Sequence, residues 1–255
     1  MTPAIAIEGL GFAYPDGTTA LHDIGLTVAA GECVGLLGPN GSGKSTLLRH
    51  LNGILPELLP AAGGAVTILG ERLTRANVAA VRRQLGLMFQ DPDDQLFCAT
   101  VREDVGFGPQ QLGLSRAEVA DRVQRALEEV GLVHLGHRPP HHLSNGEKRR
   151  ACLAGVLACA PAILVLDEPT SGLDPRGRRE LLALLRRVTA TKLIATHDLE
   201  LVVELCPRSV ILDGGRIVAD GPTRTLLADE PLMLAHGLER PHLLQHRHPH
   251  PGGGG

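Results

Sequence analysis

The sequence predicts an α/β protein with a parallel sheet at its centre, and three observations carry that reading. Two apolar runs, Cys33–Leu37 and Ala162–Leu166, are continuous rather than alternating, as expected of strands buried on both faces. Each run passes directly into a polar or glycine-rich stretch, which is how a buried strand ends at a sheet edge. Strand patterns then alternate with helical spacing, the order that a parallel sheet with crossover helices requires. At 255 residues the chain can bury one large core, alone or with a subdomain.

The first run leads into Gly38-Pro39-Asn40-Gly41-Ser42-Gly43-Lys44-Ser45-Thr46, which fits G-x-x-x-x-G-K-[ST], the loop that wraps nucleotide phosphates. Glycines at 38, 41 and 43 permit backbone angles that side chains forbid, so successive N–H groups can converge on one anion. Lys44 supplies a point charge for the β- and γ-phosphates, and the Ser45 hydroxyl is placed to ligate Mg²⁺. Residues 45–51 read as a helix whose N-terminus adds partial positive charge to the cradle. ATP with Mg²⁺ is the expected ligand.

Composition narrows the partners. A formal charge of −3 gives no basic footprint, and no Trp, one Tyr and four Phe leave few stacking platforms, so nucleic acid is not expected. Cysteines at 33, 98, 152, 159 and 206 show no C-x-x-C pair and read as small buried hydrophobes in a reducing compartment. No basic-then-apolar leader opens the chain and no stretch reaches the length of a membrane span. The chain is therefore expected to be soluble, with any membrane role exercised through a partner.

Taken in order, residues 4–12 and 24–28 alternate as antiparallel strands around the turn Pro15-Asp16-Gly17. Tyr14, beside that turn, could stack on an adenine ring or simply pack at a strand end. A strand bounded by glycines follows at 63–70, a short helix at about 75–83, then the apolar run 85–89. From 91 to 155 helices take over, with Ser115-Arg116-Ala117-Glu118 as a capping box and Gly131 as a stop. This region reads as a helical subdomain inserted into the nucleotide-binding core. A helix at 145–159 returns to that core, followed by strand 162–166, a helix at 176–188, strand 192–196 and a hairpin through Asp213-Gly214-Gly215. The domain is expected over residues 1–225, with an extension at 226–255. Residues 242–255 combine histidines, prolines and glycines and read as a mobile tail, in which His242, His246, His248 and His250 could bind Ni²⁺ or Co²⁺.

Ligands of α/β sheets sit beyond the carboxyl ends of the strands. Strand 162–166 delivers Asp167 and Glu168 to that edge: Asp167 suits the Mg²⁺ shell, and Glu168 is free to polarise an attacking water as general base. His197 leaves the next strand at the same edge, within expected reach of a γ-phosphate.

With these residues in place, the chain resembles the ATP-binding subunit of an ABC transporter over roughly residues 4–225. The phosphate loop and Leu164-Val165-Leu166-Asp167-Glu168-Pro169-Thr170 carry the likeness, with Leu143-Ser144-Asn145-Gly146-Glu147 similar to the signature that is usually L-S-G-G-Q. Ser171-Gly172-Leu173-Asp174 resembles the family's D-loop, Gln90 its Q-loop glutamine and His197 its switch histidine, and Tyr14 falls where the family stacks an aromatic on adenine. The resemblance implies a second ATPase subunit, identical or different, closing head to tail so that Ser144 and Gly146 of one face the phosphate loop of the other. It further implies Asp174 near the nucleotide, Gln90 on its Mg²⁺, and integral membrane subunits docked at the cytoplasmic face of the membrane. Asn145 tolerates left-handed backbone angles, so the signature turn can survive that departure, while Glu147 places an extra charge near the phosphates.

The stretch Phe89-Gln90-Asp91-Pro92-Asp93-Asp94-Gln95-Leu96-Phe97, continued by Thr100 to Pro109, looks like the segment of energy-coupling-factor importers, including the cobalt and nickel systems. That resemblance implies an ATPase powering import of cobalt, nickel or a vitamin. The alternative is a soluble ABC ATPase serving nucleic acid or the ribosome, which usually brings paired cassettes, a coiled-coil insertion or basic extensions.

Overall fold

The computed structural model describes residues 2–55, 64–239 and 241; the histidine-rich tail, with His242, His246, His248 and His250, lies outside them. Two strands open the chain, β1 (Ile5–Ala13) and β2 (Thr19–Val28), paired antiparallel across a turn closed by Gly17 N–H donating to Tyr14 O at 2.9 Å. β2 begins five residues before the start predicted at 24. Register shifts at Leu10↔Ile24 and Phe12↔Leu21 break its alternation, and such bulges hide a strand from a period-two reading. After β3 (Cys33–Leu37) and α1 (Lys44–Leu51), β4 (Ala65–Ile68) returns to pair with β1, and β5 (Glu71–Arg72) completes an antiparallel sheet of order β2-β1-β4-β5.

Next come α2 (Val78–Gln84) and β6 (Leu85–Met88), then three helices: α3 (Val101–Gln111), α4 (Arg116–Glu129) and α5 (Asn145–Ala158). Each of the three opens with a complete capping box, Thr100/Glu103, Ser115/Glu118 and Ser144/Glu147. In each, a hydroxyl and a carboxylate satisfy two N–H groups that the first turn leaves without partners. Only the middle box entered the reading above. α3 carries Pro109, and its glycines are packing residues: a Cβ on Gly108 would stand 2.4 Å from Cys159 Sγ, so α3 and α5 approach closely there.

The chain then builds β7 (Ile163–Asp167), α6 (Pro175–Arg187), β8 (Thr191–Ala195), α7 (Leu199–Leu205), β9 (Arg208–Asp213) and β10 (Arg216–Pro222). α8 (Thr223–Ala228) and α9 (Glu230–Ala235) follow, and Met233 and Leu238 are buried, so the start of the C-terminal extension packs on the core. The second sheet has order β10-β9-β3-β8-β7-β6, parallel except for the β9–β10 hairpin.

Both faces of this sheet are covered at β3 and β7, which is why those two strands are continuously apolar up to their ends. Ile163 and Val165 pack with α1 and the antiparallel sheet, while Leu164 and Leu166 pack with the helices of the other side. The register aligns Leu36 with Ala195 and Ala195 with Asp167, so β3, β8 and β7 end level with one another. Cys152 and Cys206 are buried as expected, but Cys33, Cys98 and Cys159 are only half-buried, and all five thiols are free.

Leu166 is fully buried between the sheet and the helices. Leu166→Ala should lower unfolding free energy by about 3 kcal/mol, through lost transfer energy and the cavity left behind. Urea denaturation of the full chain checks this, and a loss below about 1 kcal/mol would show that the helical layer collapses onto the gap.

Candidate functional site

The phosphate loop leaves the middle of the parallel sheet, because β3 lies between β9 and β8. Gly38, Gly41 and Gly43 all adopt positive φ, at 151°, 79° and 106°. At Gly38 the requirement is absolute, since a Cβ would stand 2.0 Å from the Leu212 carbonyl oxygen. The loop is braced by the β9–β10 hairpin, where Gly215 N–H donates to Ser42 O at 3.1 Å and His22 N–H donates to Gly215 O at 2.7 Å. His236 Nδ1, just past α9, meets Asp213 Oδ2 at 2.8 Å at the same hairpin. The sequence signalled the hairpin but not its place beside the phosphate loop.

The loop opens on a cleft of about 550 Å³ whose walls include Tyr14, Lys44, Ser45, Gln90, Asp167 and Glu168. Lys44 Nζ donates to the carbonyls of Gly38 and Pro39 at 2.8 and 2.9 Å, stowed on its own loop. Burial holds its ammonium below the ordinary value, opposed by the charges of Glu168 and Asp167. The Tyr14 hydroxyl shares a 2.9 Å hydrogen bond with Thr46 Oγ1, and its ring stands edge-on to Phe12 at 5.0 Å. One tyrosine thereby connects the antiparallel sheet to the start of α1.

Asp167 and Glu168 end β7 in different surroundings. Burial pushes the Asp167 carboxyl above its ordinary value, with the Ser45 hydroxyl and Lys44 opposing. Its Oδ1 and the Ser42 Oγ are buried in this cleft and have no hydrogen-bond partner among the described residues. Orphaned acceptors of this kind are costly unless a ligand satisfies them. Asp167, the Ser45 hydroxyl and Gln90 all line this cleft and offer oxygen donors, a set that fits a hard divalent ion such as Mg²⁺. Glu168 is instead held firmly: Oε2 accepts from Thr196 Oγ1 at 2.9 Å, and Oε1 accepts from the His197 N–H at 3.0 Å. His197 Nδ1 is also 2.9 Å from Oε1, so the imidazole rests on Glu168 and not in the phosphate cleft. Thr196, fully buried, was missed in the sequence; its position one residue before His197 is the signal that could have found it.

Ser144, Gly146 and Asp174 are not brought to the phosphate loop. They line a separate cleft of about 920 Å³ together with Asn145 and Glu147. Asp174 Oδ1 caps α6 by accepting the Gly177 N–H at 2.7 Å. The Glu147 carboxylate accepts from both the N–H and the hydroxyl of Ser144 at 2.8 Å, so its charge is engaged within the capping box. Those bonds, the N–H first, hold Glu147 below the ordinary carboxylate value. A bidentate pair joins α6 to α7: Arg178 Nε and Nη2 donate to Asp198 at 2.8 and 3.2 Å. Asp198 also caps α7 through the Leu201 N–H at 2.9 Å and accepts from Thr170 Oγ1 at 3.1 Å.

A glycine-rich anion loop on a central parallel strand, facing two strand-end carboxylates, defines a nucleoside triphosphatase of the P-loop class. The family model described as "ABC transporter" matches residues 21–171, and the chain belongs to that family. ATP is its nucleotide and ATP hydrolysis its activity. It is 45% identical to the energy-coupling factor transporter ATP-binding protein EcfA of Carboxydothermus hydrogenoformans, covering 96% of this chain and 90% of that one. It is 46% identical to the cobalt import ATP-binding protein CbiO of Rhodobacter capsulatus, over 94% of this chain and 86% of that one. Among solved structures, CbiO1 of Clostridium perfringens, part of the ABC transporter complex CbiONQ, superposes with a TM-score of 0.79 at 37% identity, covering 95% of this chain and 98% of that one.

The Asp198 pair gives a pH prediction. Burial alone would raise this carboxyl, but the Arg178 guanidinium and the Leu201 N–H outweigh it and hold it below the ordinary value. A depressed folded value means stability that is present above the unfolded carboxylate value of about 3.9 and lost as pH falls through the folded one. Asp198→Asn should therefore cost about 2 kcal/mol at neutral pH and much less near pH 3. Urea denaturation at both pH values checks this; an equal loss at the two would show that the pair is not the source.

Proposed function

We propose that this chain is the ATP-hydrolysing subunit of an importer of the energy-coupling-factor type, bound peripherally at the cytoplasmic face of a membrane. The observation that carries the reading is the single cleft that joins the phosphate loop to Asp167, Glu168 and Gln90. The domain would span residues 1–225 with its helical part at about 91–155, and the extension from 226 would add packing behind the hairpin. Among the described residues no helix is long and apolar enough to cross a membrane, so transport requires membrane subunits. A transition metal ion is the favoured cargo, cobalt first because of the similarity to a cobalt import protein. Nickel and vitamins are the other candidates.

In this reading the backbone N–H groups of residues 38–46 and Lys44 bind the phosphates, with Lys44 leaving its stowed position on the loop carbonyls. Tyr14 covers the base. Ser45, Asp167 and Gln90 would hold Mg²⁺, which when bound draws charge from the phosphate oxygens. Glu168 takes the proton of the attacking water, and Thr196 and the His197 N–H fix its carboxylate for that task. His197, released from Glu168, reaches the γ-phosphate.

Two separate clefts on one chain support a head-to-tail dimer, because the residues of the signature cleft have no nucleotide of their own to face. Ser144 and Gly146 of one subunit would meet the phosphates held by its partner, with Asp174 beside them. Ser144 stands at the start of α5, where orphan N–H groups suit an anion.

The docking surface for the membrane subunits is assigned to the segment after Gln90. Phe97 and Phe107 are 65% and 43% exposed and stack edge to face at 5.0 Å. The loop that presents Phe97 is pinned by Asp104 Oδ1, which accepts the N–H groups of Phe97 and Cys98 at 3.0 and 2.9 Å. Asp93 pairs with Lys148 on α5 at 2.6 Å, linking the same segment to the signature helix.

Glu168→Gln should lower ATP turnover by at least about 100-fold while nucleotide affinity is kept, and an ATP-bound dimer should accumulate on size-exclusion chromatography. Equal turnover in the two proteins would sink the assignment of the base. Phe97→Ser with Phe107→Ser should weaken capture of the membrane subunits in detergent and leave basal hydrolysis intact. Undiminished capture would move the docking surface elsewhere.

A further inference from the structure

Arg149, on α5 five residues after Ser144, is 5% exposed. Among the described residues no carboxylate forms an ion pair with it. Its guanidinium is spent on two backbone carbonyls instead: Nη1 donates to Glu168 O at 2.8 Å and Nη2 donates to Gln90 O at 3.0 Å. A buried charge without a counter-ion is costly, so a cation kept here to bind two carbonyls asks for a reason.

The conformation of Glu168 supplies it. Glu168 has φ of +46°, a left-handed angle that favours glycine; for a residue with a side chain it costs about 1–2 kcal/mol and persists only where surroundings enforce it. Its N–H donates to Ala195 O at 2.8 Å, and its carboxylate is held by Thr196 and His197. Its carbonyl accepts from Ser171 N–H at a longer 3.2 Å and from Arg149 at 2.8 Å. The Arg149 bond is the shorter of the two, and it comes from another element of the fold. The rigid fork of an arginine reaches the two carbonyls from two separate nitrogens held in a fixed plane, a geometry that the single ammonium of a lysine does not reproduce.

We propose that Arg149 is a positioning residue that fixes the backbone of Glu168 and Gln90 to α5, so that the attitude of the signature helix sets the aim of the general base. A shift of α5 against the sheet moves both strand ends through one side chain. This rests on the reading of Glu168 as base. Burial holds the guanidinium below its ordinary value, in keeping with a cation that forms no ion pair.

The test uses the full chain with Mg-ATP and compares Arg149→Lys and Arg149→Gln with wild type. Each is measured for kcat, KM, affinity for a fluorescent ATP analogue and melting temperature. The expected result is a kcat about tenfold lower in both, which is about 1.4 kcal/mol of barrier, with KM and analogue affinity within about twofold of wild type. Arg149→Lys keeps charge and length, so it carries the test if Arg149→Gln does not fold. Wild-type kcat in the lysine variant overturns the proposal, as does a fall in analogue affinity that matches the fall in kcat, which marks mere scaffolding. Glu168→Gln run alongside separates the two readings. If it turns over like wild type the base assignment fails; if it is inactive while both Arg149 variants are not impaired, only the role of Arg149 fails.

Discussion

Burial of one sheet on both faces governs where everything else in this molecule can be. β7, with all five residues buried, is apolar until its last position, because a polar side chain there would need a partner inside the core. Polar chemistry is therefore expelled to the carboxyl ends, and the level register of β3, β8 and β7 collects it along one line. The phosphate loop, the paired carboxylates and His197 are neighbours because their strands stop together. No single loop assembles them.

That constraint explains what the sequence could show. The phosphate loop, Asp167 and Glu168 were legible because each follows directly on a continuous apolar run, so motif and context agree. The start of β2 was not, because bulges at Leu10 and Phe12 disrupt its alternation. α3 escaped a helical reading because Gly106, Gly108 and Pro109 are poor helix formers, retained where α3 must lie close to α4 and α5. Arg149 was unreadable for a different reason: its partners are carbonyls, which every residue has. The six-stranded order also lay beyond the sequence, since period and motif say nothing of which strand stands beside which.

The site residues divide by how they are held. Among the described residues Asp167 and Ser42 keep buried oxygens without partners, whereas Glu168, Glu147 and Asp174 accept bonds from neighbouring N–H or hydroxyl groups. Unsatisfied atoms mark where a ligand brings its own bonds, and satisfied ones mark groups whose orientation matters more than their vacancy. Both kinds meet in the phosphate cleft, where Glu168 stands beside Asp167, while Glu147 and Asp174 line the signature cleft; α5 joins the two clefts through the strand ends it touches.

The hairpin brace has a consequence for how the protein is made. The phosphate loop is encoded within the first fifth of the chain, but it is packed against the Leu212 carbonyl and bonded to Gly215. Contacts this distant in sequence form late, and domains emerge from the ribosome N-terminus first. A nascent chain that has completed β3 and α1 therefore displays its glycines without the wall that shapes them. The nucleotide site comes into being only when the last sheet strands arrive, so a chain cut short before residue 215 has the motif and lacks the pocket.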